Sequence, residues 1–128
     1  MPDPAEQSVR VAGAAKLEQG DARTFTFTRA GKSFEGFLLC HRLGFFAYAN
    51  ACPHWNVDLD LGFGDFYDRE MDRIFCRNHG ALFLPESGLC SAGPCAGLYL
   101  EKFDVSWDGE DALVTLGLLT VIGTENLG

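Results

Sequence analysis

Histidine is scarce in this chain, three residues in 128, and Lys plus Arg number only 10 against 18 Asp plus Glu, for a formal net charge of −8. A surface so short of cations repels a phosphate backbone, which excludes nucleic acid as the working partner class. Long apolar runs are missing too. The longest uncharged apolar stretch, Ala112 to Gly123, has 12 residues, against the roughly 20 that a spanning helix needs. The start, MPDPAEQSVR, carries Asp3 and Glu6 and shows no apolar run with a small-residue cleavage site, so it does not read as a secretory leader. The expectation is a soluble, cytoplasmic protein with no membrane partner, monomeric or weakly oligomeric.

At 128 residues, 47% hydrophobic and 22% charged, the chain has the size and balance of one globular domain over residues 1–128, with enough length to bury a core unaided. It has five cysteines all the same. In a reducing compartment these are no disulfide framework, and metal ligation or inert burial are the readings to compare.

Residues 1–8 are polar and Pro-rich, the composition of a frayed terminus. Beyond them the pattern is short aromatic and β-branched runs between Gly, Asp and Pro turns. Thr24 to Thr28 (TFTFT) alternates strictly and places Phe25 and Phe27 on one face, the mark of a half-buried strand. Val9 to Ala12, Ser33 to Cys40, Phe45 to Ala49, Arg73 to Phe75, Ala81 to Leu84, Tyr99 to Trp107 and Ala112 to Leu118 read as further strands. The connections His41-Arg42-Leu43-Gly44 and Asp108-Gly109-Glu110-Asp111 have hairpin length and composition. The predicted class is all-β, an antiparallel sandwich or small barrel with little helix.

Ligand-type residues concentrate in two short arms at strand-to-loop transitions, Cys52-Pro53-His54 and Cys76-Arg77-Asn78-His79. Each arm offers one thiolate and one imidazole. A single zinc takes two Cys and two His tetrahedrally, but structural zinc sites usually pair Cys with Cys in one arm and His with His in the other. Mixed arms suit a dinuclear centre in which one iron keeps two thiolates and the other takes two imidazoles. A structural zinc module remains the alternative.

The pattern Cys-x-His followed by Cys-x2-His-Gly resembles the Rieske [2Fe-2S] family. The resemblance runs over roughly Ser33 to Leu118: Ala49 to His54 is similar to the family's first cluster loop, Cys76 to Phe83 to its second, and Ser91-Ala92-Gly93-Pro94 to the proline loop that shields the cluster. It implies a cluster-binding subdomain of about residues 50–97 nested in a β base, holding one Rieske-type [2Fe-2S] cluster per chain. Cys52 and Cys76 would bind the inner iron, His54 and His79 the outer one. Trp55 and Pro94 become candidates for shielding the cluster or touching a partner.

High-potential members have two extra cysteines in the cluster loops, and a Ser and a Tyr donating hydrogen bonds after the second histidine. This chain has Val57, Arg77 and Asn78 at the first set and Ala81 and Phe83 at the second. Hydrogen bonds to cluster sulfurs raise the potential, so their absence implies the low end of the Rieske span, about −150 mV. A Rieske oxygenase would also need a mononuclear iron on two His and a carboxylate, and only His41 is left over. The resemblance therefore implies a one-electron carrier and no enzyme, a ferredoxin passing electrons from a flavin reductase to a terminal oxygenase. The alternative within the family is a small subunit of a larger reductase, of the nitrite-reductase type.

Among the remaining residues, His41 sits in a hairpin turn and is expected to be solvated, and Cys40 to be a buried, inert thiol. Cys90 and Cys95 bracket the proline loop and are expected to be free thiols, or else a local redox-sensitive pair. Asp58, Asp60, Asp65, Asp68 and Asp72 form an acidic stretch: a solvated loop, or a surface that steers the chain to a basic patch on a redox partner.

Overall fold

The computed structural model describes residues 8–53, 58–60, 64–77 and 80–116. Ten strands follow in chain order: β1 (Ser8–Val11), β2 (Ala22–Arg29), β3 (Lys32–His41), β4 (Gly44–Ala49), β5 (Tyr67–Asp68), β6 (Arg73–Phe75), β7 (Leu82–Phe83), β8 (Cys90–Ala92), β9 (Lys102–Asp108) and β10 (Asp111–Thr115), with one 3-10 helix at Ala14–Lys16. Six of them make an antiparallel sheet in the order β1-β10-β9-β4-β3-β2, and the other four a smaller sheet in the order β5-β6-β7-β8. The edges β1 and β2 approach each other, and Arg23 Nη1 reaches across to the Ala12 carbonyl at 3.0 Å, so the large sheet curls into a nearly closed barrel. The smaller sheet is inserted in the chain between β4 and β9, which pair directly through Ala47 with Phe103 and Tyr48 with Lys102.

Alternation along the strands explains where the cores lie. On β2, Phe25 and Phe27 point inward as TFTFT predicts, and Phe27 meets Phe103 edge-on at 5.4 Å. The second half of β3 is buried on both faces: Leu38 enters the barrel interior, while Phe37 and Leu39 face the small sheet. There Phe37 stacks on Phe66 at 4.1 Å with nearly parallel rings. Gly36 is required by this packing, because a Cβ at that position would lie 2.5 Å from the Phe25 ring. The second core, under the small sheet, collects Tyr48, Leu59, Ile74, Phe83 and Leu100 with four of the five cysteines.

The same phase corrects one expectation. His41 is two residues on from Leu39 and four from Phe37, so it shares their inward face, and it is only 5% exposed rather than solvated. Its Nδ1 accepts from the Leu43 N–H at 3.2 Å, which leaves Nε2 to donate to Asp72 Oδ1 at 2.7 Å. Arg42 Nη2 also reaches Asp72, at 2.7 Å, and the Tyr67 hydroxyl donates to the same carboxylate. Asp72, in the β5–β6 turn, thereby ties the small sheet to the β3–β4 hairpin.

Hydrogen bonds from Arg42, Tyr67 and His41 hold the Asp72 carboxyl well below the usual carboxylate range. Since the folded state lowers this group relative to the unfolded chain, its contribution is complete above about pH 4 and is lost as pH falls through the lower folded value. Asp72→Asn is expected to cost about 1–2 kcal/mol at pH 7. Urea denaturation at neutral pH and near pH 3 checks this: the gap from the parent should narrow in acid, and an unchanged gap would exclude the network as its source.

Candidate metal centre

The first arm leaves the end of β4 and is held at both ends by one side chain. Asn50 is 4% exposed; its Nδ2 donates to Glu35 Oε1 at 2.7 Å and to Asp60 Oδ1 at 3.1 Å, and its Oδ1 accepts from the Leu59 N–H at 2.7 Å. Every polar atom of the carboxamide is thus engaged, on β3 and on the return segment beyond the arm. Cys52, two residues after Asn50, is buried to 1% exposure.

The second arm turns between β6 and β7. Cys76 N–H donates to the Ala81 carbonyl at 2.9 Å and Gly80 N–H to the Cys76 carbonyl at 2.8 Å, closing a tight loop with Cys76 fully buried at its base. The arms are joined directly, since Arg77 N–H donates to the Leu59 carbonyl at 2.9 Å. One main-chain bond therefore runs from the residue after the second cysteine to the segment that Asn50 secures behind the first. His54, Trp55, Asn78 and His79 lie outside the described residues.

The proline loop packs against the second arm. Gly93 adopts φ +106, and a Cβ there would come within 2.8 Å of the Ala81 backbone, so the contact needs glycine. Pro94 itself is exposed, while Cys95 beneath it is 1% exposed. Its Sγ lies 3.1 Å from Cys90 Sγ. Burial, the hydrogen bond with Cys90 and the nearby Cys52 push the Cys95 thiol up to about 12, so it is protonated at neutral pH. The fifth thiol, Cys40, stands apart as expected, buried against the Leu17 carbonyl at 3.4 Å.

Cys52 and Cys76 thus share one apolar core. Soft thiolate donors in a dry setting fit an iron–sulfur group, for which sulfur ligation and low solvent access are the protein's main contributions. Oxygen donors also gather nearby, with Glu35, Asp58 and Asp60 carboxylates within 4.8 Å of one another, but Asp60 and Glu35 belong to the Asn50 network.

A family model, the Rieske [2Fe-2S] domain, matches residues 7–104. The chain belongs to this family. The ferredoxin of carbazole 1,9a-dioxygenase from Nocardioides aromaticivorans IC177 is 30% identical, with 84% of this chain and 95% of that one covered at a TM-score of 0.62. A chain from the complex of reduced oxygenase and oxidised ferredoxin in carbazole 1,9a-dioxygenase is 24% identical, covering 85% of this chain and 93% of that one at a TM-score of 0.65, and shares the fold. A longer chain from the reduced complex between those two components superposes at 0.69 with 15% identity, over 86% of this chain and 28% of that one. No curated protein matches the chain. A Rieske domain carries a [2Fe-2S] cluster, and the chemistry such a cluster supplies is the exchange of one electron.

The acidic stretch is only partly a solvated surface. Asp60 is 2% exposed and accepts from the Gly64 N–H at 2.8 Å, Asp68 caps the turn at Glu70 and Met71, Asp65 pairs with Arg77 at 3.3 Å, and Asp72 is the hub described above. Asn50 is the residue that the sequence pattern passed over. Its position at the end of an apolar strand, two residues before a ligand-type cysteine, was the available signal. Asn50→Ala removes both donors and leaves the buried Leu59 N–H without its acceptor, an expected loss of about 2–3 kcal/mol. Denaturation midpoints check it, and colour should fade faster from the variant during incubation than from the parent.

Proposed function

We propose that Cys52 and Cys76 hold the inner iron and His54 and His79 the outer iron of the cluster, and that the chain is the ferredoxin that hands single electrons to a terminal oxygenase. The observation that carries the reading is the pairing of two buried cysteines, one per Cys/His arm, across the Arg77–Leu59 bond. The 30% identity with a dioxygenase ferredoxin along nearly its whole length supports the assignment as a carrier. The electron donor in this reading is a flavin reductase.

The rim of the site supports docking by a protein partner. Pro94, Leu98 and Tyr99 are exposed, and Tyr99, at 60% exposure, lines a shallow cavity with Cys52 and Pro53. Trp55, next to His54 in the sequence, is in this reading a candidate partner contact, and Pro94 shields the cluster. Among the acidic residues near the arms, Asp58 is exposed and is the one best suited to meet a basic patch on the partner. The carrier works as a monomer or weak oligomer in the cytoplasm.

The potential in this reading lies at the low end. Ala81 and Phe83, 1% and 0% exposed, stand beside the second arm without a hydroxyl to donate to a cluster sulfur, and the net charge of −8 disfavours an added electron.

Cys76→Ser is the direct test of the ligands. The parent should be red-brown with a low-average-g resonance on reduction and stoichiometric iron, and the variant should lose colour, signal and iron together; a retained cluster would refute the ligand set, and a colourless zinc-loaded parent would refute the whole reading. Redox titration of the parent should give a midpoint below zero, toward about −150 mV, and a clearly positive value would contradict the low-potential assignment.

A further inference from the structure

Three thiols remain outside the proposed ligand set, and two of them, Cys90 and Cys95, face each other. Cys90 opens β8 and Cys95 follows the proline loop; the chain doubles back between them, with Gly97 N–H donating to the Cys90 carbonyl at 3.3 Å, Cys90 N–H to the Leu98 carbonyl at 2.8 Å and Leu98 N–H to the Cys95 carbonyl at 2.9 Å. These bonds fix the two backbones side by side and bring Sγ to Sγ at 3.1 Å. A disulfide needs about 2.05 Å, so the two sulfurs have roughly 1 Å left to close. The residues Ser91 to Pro94 and Ala96 to Tyr99 around the pair are all exposed, so the two buried thiols lie directly beneath a surface loop.

We propose that Cys90 and Cys95 form a reversible dithiol–disulfide pair, a modification site on the loop that flanks the cluster. The oxidant is a low-molecular-weight disulfide. Cys90 gives its proton to solvent and attacks the small disulfide, releasing one small thiolate and leaving a mixed disulfide; Cys95, protonated at neutral pH, gives up its proton as its sulfur displaces the other small thiolate. The two protein thiols lose two protons and two electrons, and the small disulfide is reduced to two thiols. No iron takes part in the exchange, so the pair oxidises whichever residues ligate the cluster.

The test uses the intact holoprotein equilibrated across glutathione/glutathione disulfide buffers, with cluster absorbance followed throughout, then acid-quenched, alkylated and mapped by peptide mass. The expected result is a peptide bridged between Cys90 and Cys95, lighter by two hydrogens, appearing while the cluster colour is retained, reverting in reducing buffer, absent from Cys90→Ser and Cys95→Ser and present in Cys40→Ser. The proposal is overturned if both thiols are still alkylated in the most oxidising buffer. It is equally overturned if the bridge joins Cys52 or Cys76 and forms only as colour is lost.

Discussion

One main-chain hydrogen bond, from Arg77 N–H to the Leu59 carbonyl, holds the two halves of the site at a fixed separation. The proposed dinuclear centre, shared between two loops, would impose a demanding constraint: each loop must present its donors without help from the other's sequence, and a misplacement of about an ångström weakens a constellation of this kind. The chain meets it by anchoring each loop to a sheet and then tying the anchors together. Asn50 fastens the first loop to β3 and to its own return segment; the Cys76–Ala81 and Gly80–Cys76 bonds fasten the second between β6 and β7.

That arrangement also accounts for the placement of charge. The protein is acidic, yet much of the acid beside the arms is committed to structure: Asp60 to Asn50 and Gly64, Asp72 to His41, Arg42 and Tyr67, Asp65 to Arg77. Such carboxylates position the chain and contribute to the mean potential around the cluster without forming a continuous steering surface. The shallow cavity beside Cys52 is lined mainly by apolar and aromatic residues, Ala49, Ala51, Pro53 and Tyr99, with Glu101 as its one charged side chain.

Much of this was legible in the residues. The TFTFT alternation and the two hairpin turns each report a local rule, period two or turn chemistry, and both hold; of the two Cys/His arms, the structure shows the cysteines Cys52 and Cys76 buried in one core. What escaped depends on long-range contact. His41 read as a turn residue because its burial comes from the phase of β3 and from Asp72, thirty-one positions away. The strands β5 and β8, two and three residues long, are too short for a periodic signal and exist because β6 and β7 pair with them. The partnership of Cys90 with Cys95 is a product of the loop's fold, and spacing alone left it open.

The central claim is that two thiolates and two imidazoles, one of each per arm, share a single [2Fe-2S] cluster. Electron–nuclear double resonance on the reduced protein tests it most directly. The account predicts two distinct nitrogen couplings to one iron, reduced to one in His54→Cys or His79→Cys if the cluster survives the exchange; a spectrum with no nitrogen coupling, as sulfur-only ligation gives, would contradict it.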